Sequence, residues 1–398
     1  MDFEDTAGQA RFRSELRRWL DLHAAAAPER RVLAPSDPDA VARHRAWQAR
    51  LAEAGYAGVT WPVEHGGAGR GAAERLIVDQ ELEARGVAGV FDFIGVDMVG
   101  PTLMAHGTAA QLARHLRPLL RADEMWCQLF SEPGAGSDLA SVRTQARLQP
   151  DGDWLVDGQK VWTTNAHHAS FGIMLARSDP SVSRHRGLTM FVVPMDAAGV
   201  EVRPLRQISG EAEFNEVFLT GVRLGADSPV GTPGEGWGVA LTMLGFERLI
   251  VGSGLHAARL DQLVASIAAD GASRDDPVIR GRLGRVATEL LALRHFNYRL
   301  LTEIEGGRVP GPEAGLAKIT TVLASFAAVQ LAVDAGGPEA LLGDEWGHQV
   351  SALPGLRSAG GTEEILRNVI GERVLGLPPE PRLPHPVAEE MRGALRAL

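Results

Sequence analysis

Apolar positions recur at helical spacing over the first third of the chain, at alternate positions over the middle, and at helical spacing again from Gly236 onward. In residues 1–121, Phe12, Leu16, Trp19 and Leu20 mark one helical face, and Trp47 and Leu51 mark another. Ala54-Gly55 reads as a helix stop, helical patterns resume over 74–85 and 97–106, and Thr108 is placed to cap a helix running to Leu120. From about 125 to 229 the period becomes two, with short β-rich runs over 154–156, 160–164, 171–176, 188–193, 200–205 and 216–219. With no helices between them, these runs predict an antiparallel barrel-like domain, because parallel strands need crossover helices. Asp157-Gly158 suits a two-residue hairpin turn between two of them. Patterns over 239–255, 277–306, 312–333 and 362–374 then predict an antiparallel helical bundle, with Pro277 and Pro312 at first-turn positions that tolerate proline. The predicted fold class is α+β in three domains: helical over 1–121, β over 122–232 and a helical bundle over 233–398.

Composition narrows the function. A chain of 398 residues that is 45% apolar can bury two or three sizeable cores. The formal charge of −10 argues against a nucleic-acid groove, where a basic face is expected. Lys160 and Lys318 are the only lysines, so nearly all the positive charge is arginine, which reads as coding bias without catalytic meaning. Cys127 stands alone, which leaves no disulfide and no Cys-based metal site within one chain. The histidines, His167-His168 included, lack partners at metal-site spacing, so no metal is expected. The N-terminus has no basic and apolar leader, and no segment reaches roughly 18 unbroken apolar residues. A soluble cytoplasmic protein with no membrane association is the expectation.

Candidate chemistry concentrates between Ser131 and Thr164. In the loop Glu132-Pro133-Gly134-Ala135-Gly136-Ser137-Asp138, Pro133 fixes one turn and the two glycines let the backbone pass close to a phosphate or a heterocycle. On the following strand Trp162 and Thr164 project on one side, an indole to stack and a hydroxyl to donate. The pattern alone fits a turn-rich hairpin with a buried tryptophan equally well. Trp61-Pro62-Val63-Glu64-His65-Gly66-Gly67-Ala68-Gly69 lacks both the order and the preceding strand of a phosphate cradle and reads as a structural turn. Gly252-Ser253-Gly254 lacks the spacing of a nucleophile elbow. Glu247 lies in a helix apolar on most sides, where burial would raise its carboxyl toward the range of a general base. The residues alone leave open a solvent-facing glutamate paired with a neighbouring arginine.

Five separated motifs make the chain resemble the acyl-CoA dehydrogenases over nearly its whole length. They are the Glu132 to Asp138 loop, Trp162-Thr163-Thr164-Asn165, Gly231-Thr232-Pro233-Gly234-Glu235-Gly236-Trp237, Phe246-Glu247-Arg248-Leu249 and Gly361-Thr362-Glu363-Glu364-Ile365. The resemblance implies a three-domain fold of that type and FAD as cofactor. It also implies abstraction of the α-proton of an acyl-CoA by one glutamate while a β-hydride passes to flavin N5, giving a trans-2-enoyl-CoA. That glutamate stands in the family either on the mid-chain helix or on the loop before the last helix. Here the second place reads Ala359-Gly360-Gly361-Thr362, with Gly360 where the carboxylate would stand, so Glu247 is the base the resemblance implies. It likewise implies Ser131, Gly136, Ser137, Trp162 and Thr164 around the flavin, with Ser137 and Arg248 also toward the substrate.

One part departs from the family pattern. The Arg-x-x-Phe-Gly that reaches a neighbouring subunit's flavin is replaced by Ser273-Arg274-Asp275-Asp276-Pro277, which keeps only Arg274. Gly336-Gly337 and Thr362-x-Glu364, which meet the adenosine half in the family, are present in altered form. The pattern is similar to the actinobacterial branch that degrades sterol side chains, some of whose members are two-subunit assemblies with flavin at mixed interfaces. A homo- or hetero-tetramer and an electron-transfer flavoprotein or similar acceptor are the implied partners. A flavin-dependent oxidase or oxygenase on the same fold, and a subunit that only completes a partner's FAD site, are the rival readings.

Overall fold

The computed structural model describes residues 4–29, 37–182, 184–252, 259–306, 311–342 and 346–379, with the side chains of 248–252 and 304–305 outside that set. Helix α1 (Ala7–His23) begins at a reciprocal cap between Thr6 and Gln9 and buries Phe12, Leu16 and Leu20. It packs on α3 (Ala72–Ala84), while Trp19 meets Trp47 of α2 (Pro38–Glu53) at 5.4 Å between ring centroids. Glu81 of α3, buried, gathers Arg13 at 3.0 Å, Arg17 at 2.9 Å and Arg85 at 3.1 Å, so one carboxylate ties α1 to α3. The 97–106 pattern resolves into a π-helix (Ile94–Val99) leading into α4 (Gly100–His106). At this junction Pro101 has no N–H to give Val96 O, and the Trp61 indole donates to that carbonyl at 3.1 Å while filling the space a Cβ on Gly100 would need. The 61–69 loop wraps around this buried tryptophan. Thr108 caps α5 (Ala109–Leu120) through Gln111 N at 3.2 Å.

The β-domain holds β1 (Trp126–Leu129), β2 (Gln145–Leu148), β3 (Trp154–Thr164), β4 (Phe171–Arg177), β5 (Leu188–Pro194), β6 (Val200–Leu205), β7 (Phe214–Leu224) and β8 (Pro229–Val230). Their order is β6-β7-β3-β2-β4-β5-β8, with β1 beside β4. The purely antiparallel expectation fails at one place: β1 and β2 both run parallel to β4. Between β1 and its parallel partner β4 the chain runs through the 130–144 loop, with one 3-10 turn at Leu139–Ser141, and then the β2–β3 hairpin, so no α-helix makes the connection. β4 and β5 are buried on both faces, which is why they read as unbroken apolar runs. Ile173, Leu175 and Met190 belong to a core shared with the N-terminal helices, and Met174, Ala176 and Phe191 to a second core with Val217 and Leu219 of β7.

Asp157-Gly158 is not a hairpin turn. It lies inside the 11-residue strand β3, at a register shift against β7. The turn between β2 and β3 falls at Gln149–Asp153 instead, closed by Gln149 N on Asp153 O at 2.8 Å. Gly158 is needed for close approach, since a Cβ there would lie 2.7 Å from Thr144 Cα, and Asp157 Oδ1 accepts from Gly221 N at 2.7 Å.

The helical bundle holds α6 (Gly236–Gly252), α7 (Leu260–Ala269), α8 (Gly271–Asp275), α9 (Pro277–Glu305), α10 (Gly315–Gly336), α11 (Glu339–Leu342), α12 (Trp346–Ser358) and α13 (Glu363–Arg373). α12 escaped the sequence reading because Pro354 and Gly355 sit inside it and look like a break. The stretch Pro312–Gly336, against expectation, is long and apolar enough by length and composition to cross a membrane. Most of it is buried, and it forms the core of the bundle against α6, α9, α12 and α13.

Candidate functional site

The loop 132–138 is fixed to the sheet by a buried ion pair. Glu132 and Ala135 exchange backbone hydrogen bonds at 3.0 Å each, closing the turn at Pro133-Gly134. The Glu132 carboxylate accepts from Arg143 N at 2.6 Å, Thr144 N at 2.9 Å and Lys160 Nζ at 2.9 Å. Lys160, fully buried on β3, also donates to Phe130 O at 3.0 Å and Leu175 O at 2.7 Å. Burial pushes the Lys160 ammonium down to about 8 against the opposing pull of Glu132. Burial pulls the Glu132 carboxyl upward, but Lys160 and the hydrogen bonds from Thr144 and Arg143 outweigh it and hold the carboxyl below its usual range.

The outer side of this loop is open. A Cβ on Gly134 or Gly136 would touch nothing in the chain, Ser137 is exposed and Ser131 is half-buried. Ser131 O accepts from Val161 N at 2.9 Å, so the loop's first residue lies against β3 just before Trp162. Trp162 is 61% exposed, with only the edge of Phe214 at 6.1 Å as an aromatic neighbour. Its φ is +60°, a left-handed conformation that L-residues adopt at a cost, and the bulge between Lys160 and Thr163 imposes it. The bulge, not the strand's alternation, turns the indole outward. Thr163 is buried, and Thr164, half-buried, pairs with Phe214 of β7.

Glu247 lies on α6, whose Val239, Ala240 and Met243 enter the core shared with the N-terminal helices. Its side chain is half-buried, and Gln128 Nε2 of β1 donates to its Oε2 at 3.4 Å. Ser131 lies three positions beyond Gln128 in the chain, at most about 10 Å when extended. The glutamate, the loop and the exposed tryptophan are therefore brought into one neighbourhood by β1. His106 of α4 bonds Thr242 Oγ1 at 2.9 Å and helps seat α6. The side chain of Arg248 lies outside the described residues.

The remaining candidates fall elsewhere in the chain. Arg274, on α8, is exposed and pairs with Asp275 at 3.1 Å. Gly337 caps the C-terminus of α10 with φ +64°, and Ser273 Oγ donates to nearby Ala335 O at 2.8 Å, so Arg274 and Gly337 share one end of the bundle. Thr362 caps α13 and Glu364 is exposed in its first turn, at the other end of α10. There Lys318, only 1% exposed, donates to Arg357 O and Gly361 O at 3.0 Å each, clamping the turn that carries Gly360. Gly337 and Lys318 are separated by nearly the full length of α10, roughly 28 Å at 1.5 Å per residue. Lys160 and Lys318, noted in the sequence only as a mark of coding bias, are buried clamps, and Gln128 was singled out by no motif. The rarity of lysine was the available signal, because a compact ammonium with three donors suits a buried cluster of carbonyl oxygens.

The order of helical domain, mostly antiparallel sheet and helical bundle is the three-domain arrangement of the acyl-CoA dehydrogenase class. Family models agree domain by domain: acyl-CoA dehydrogenase N-terminal domain over 6–123, middle domain over 127–222 and C-terminal domain over 234–375. The chain belongs to the acyl-CoA dehydrogenase family and is an oxidoreductase. It is 41% identical over 382 residues to acyl-CoA dehydrogenase IpdE1 of Mycobacterium tuberculosis, covering 93% of this chain and 98% of the relative. Among solved structures it is similar to the Tcur3481-Tcur3483 steroid ACAD, with TM-score 0.83, 28% identity and coverage of 96% of this chain and 100% of that one. It is also similar to the ChsE4-ChsE5 complex of Mycobacterium tuberculosis, with TM-score 0.79, 27% identity and the same coverage.

Proposed function

We propose that this chain dehydrogenates an acyl-CoA thioester between its α and β carbons, with Glu247 as the base that takes the α-proton and a trans-2-enoyl-CoA as product. The observation that carries the reading is the seat of Glu247, half-buried against β1 and one short segment away from the loop that abuts Trp162. A carboxylate so placed is shielded on one side and reachable on the other, as a general base must be.

The residues present fit FAD. An outward-facing indole held at a costly backbone angle, beside a loop whose two glycine Cβ positions are open, is a surface for a flat ring and a phosphate chain. When bound, FAD supplies the hydride acceptor. Trp162 and Thr164 would hold the ring, and Ser131, Gly136 and Ser137 the ring edge and pyrophosphate, with Ser137 and Arg248 also meeting substrate. Lys160 and Glu132 keep the loop in place without touching either ligand.

Arg274 and Gly337 stand at one end of α10 and Thr362 and Glu364 at the other, so a single adenosine half cannot meet both sets within one chain. This favours an assembly of two or four chains in which one chain's bundle completes another's cofactor site, with a second type of subunit as the alternative. The similar structures are named as two-component assemblies, and one of them as a steroid ACAD, which supports a heteromeric partner and a steroid-derived acyl group. Electrons then leave to an electron-transfer flavoprotein or similar acceptor, in a cytoplasmic setting. The test is anaerobic titration of the flavin-loaded protein with a panel of acyl-CoAs, beside Glu247→Gln. One thioester should bleach the wild type, while the variant keeps its flavin and loses turnover by about a thousandfold; unchanged turnover in the variant removes the assignment.

A further inference from the structure

One side chain that touches Glu247 comes from a strand far away in sequence. Gln128 sits at the third position of β1, opposite Ile173 of β4, and β1 is pinned at its start by Trp126 N donating to the buried Asp92 carboxyl at 3.0 Å. Asp92 also accepts from Gly95 N at 3.0 Å, so the same carboxyl anchors the first turn of the π-helix. The position of Gln128 is thus tied to the carboxyl that also fixes the π-helix, and that helix packs against α6. A primary amide is neutral at every working pH, and its N–H can only donate. Directed at a carboxylate, it favours the ionised form and holds one oxygen in a fixed direction.

We infer that Gln128 is a positioning residue for the base: its amide orients the Glu247 carboxylate and keeps it ionised. This rests on the reading of Glu247 as the base. Among the described residues, charged and titratable groups on the elements packed against α6 have partners of their own: Asp97 on the π-helix with Arg75, His106 on α4 with Thr242, Lys318 on α10 with two carbonyls, and Glu313 in the turn before α10 with Gly311 N. Arg248 follows Glu247 on α6 itself, and its side chain lies outside the described residues. Asp334, the other charged residue of α10, pairs with Arg282 near the helix's far end, and β5 carries none. The wild-type and variant titrations share every other group around Glu247, so the difference between them reports on the amide.

The experiment is an infrared pH titration of the flavin-loaded protein, in which the Glu247 carboxyl band is identified as the one lost in Glu247→Gln. Removing a donor from a carboxylate disfavours its charged form, so Gln128→Leu should raise the midpoint by about half to one pH unit. Gln128→Glu, which places a like charge beside it, should raise the midpoint further. Either variant decides the matter if the other does not fold. A midpoint equal to wild type in Gln128→Leu, or no rise in Gln128→Glu, overturns the inference. The two readings separate cleanly, because a shifted midpoint together with full turnover in Glu247→Gln would remove the base assignment and leave the contact standing.

Discussion

The ammonium of Lys160 lies 2.9 Å from the carboxylate of Glu132, both out of water, and the pair joins strand β3 to the 132–138 loop, the proposed flavin-binding loop. Breaking such a pair strands a charge rather than merely losing a contact. Lys160→Met should therefore cost about 3–5 kcal/mol of stability, and flavin content should fall because the 132–138 loop loses its anchor. Adding Glu132→Gln should recover part of the stability, since the stranded charge is gone. Denaturant unfolding and the flavin-to-protein absorbance ratio measure the two effects.

Glycines on the two sides of that loop should behave oppositely. Gly158→Ala drives a methyl group into the Thr144 backbone and should destabilise the flavin-free protein by about 1–3 kcal/mol. Gly136→Ala meets no atom of the chain, so the melting temperature of the flavin-free protein should stay put while flavin retention on dilution drops. Equal flavin retention in Gly136→Ala would place the cofactor elsewhere.

Trp162 should be a residue the bare fold would rather not have. Its left-handed backbone is relieved by glycine, at a gain of about 1 kcal/mol set against glycine's own entropy cost. Trp162→Gly is expected to leave the flavin-free melting temperature unchanged or raised and to weaken flavin binding. Differential scanning fluorimetry with and without added FAD reads both.

Acid should loosen the N-terminal helices through Glu81. Burial works to raise this carboxyl, yet Arg17, Arg13 and Arg85 outweigh it and hold it at about 2. A carboxyl depressed in the folded state contributes stability that is present above its ordinary value near 4.5 and is lost as pH falls toward about 2. Glu81→Gln should lower the melting temperature by several degrees at pH 7 and flatten the decline between pH 5 and 2, as followed by circular dichroism.

Much of the architecture was legible before any coordinates. Phe12, Leu16 and Leu20 face the core at the spacing that predicted them, Thr108 caps its helix, and the period change marks the β-domain. Misreadings arose where a local pattern had two physical meanings. Asp-Gly suits a tight turn and also a bulge under close packing, and only the proximity of Thr144 chooses between them. A loop followed by a hairpin can join parallel strands where an α-helix normally does, so β1 beside β4 could not be inferred from helix spacing.

The sequence by itself determined the order of helices, strands and bundle, the family, and the place of Glu247 on a helix, because periodicity and local motifs are properties of neighbouring residues. Only the tertiary structure decided what Glu247 touches, why Trp162 faces outward, and that the two lysines are buried clamps. Those outcomes depend on register and packing between segments as far apart as Gln128 and Glu247, where the energy of a contact is set by what surrounds it rather than by what precedes it in the chain.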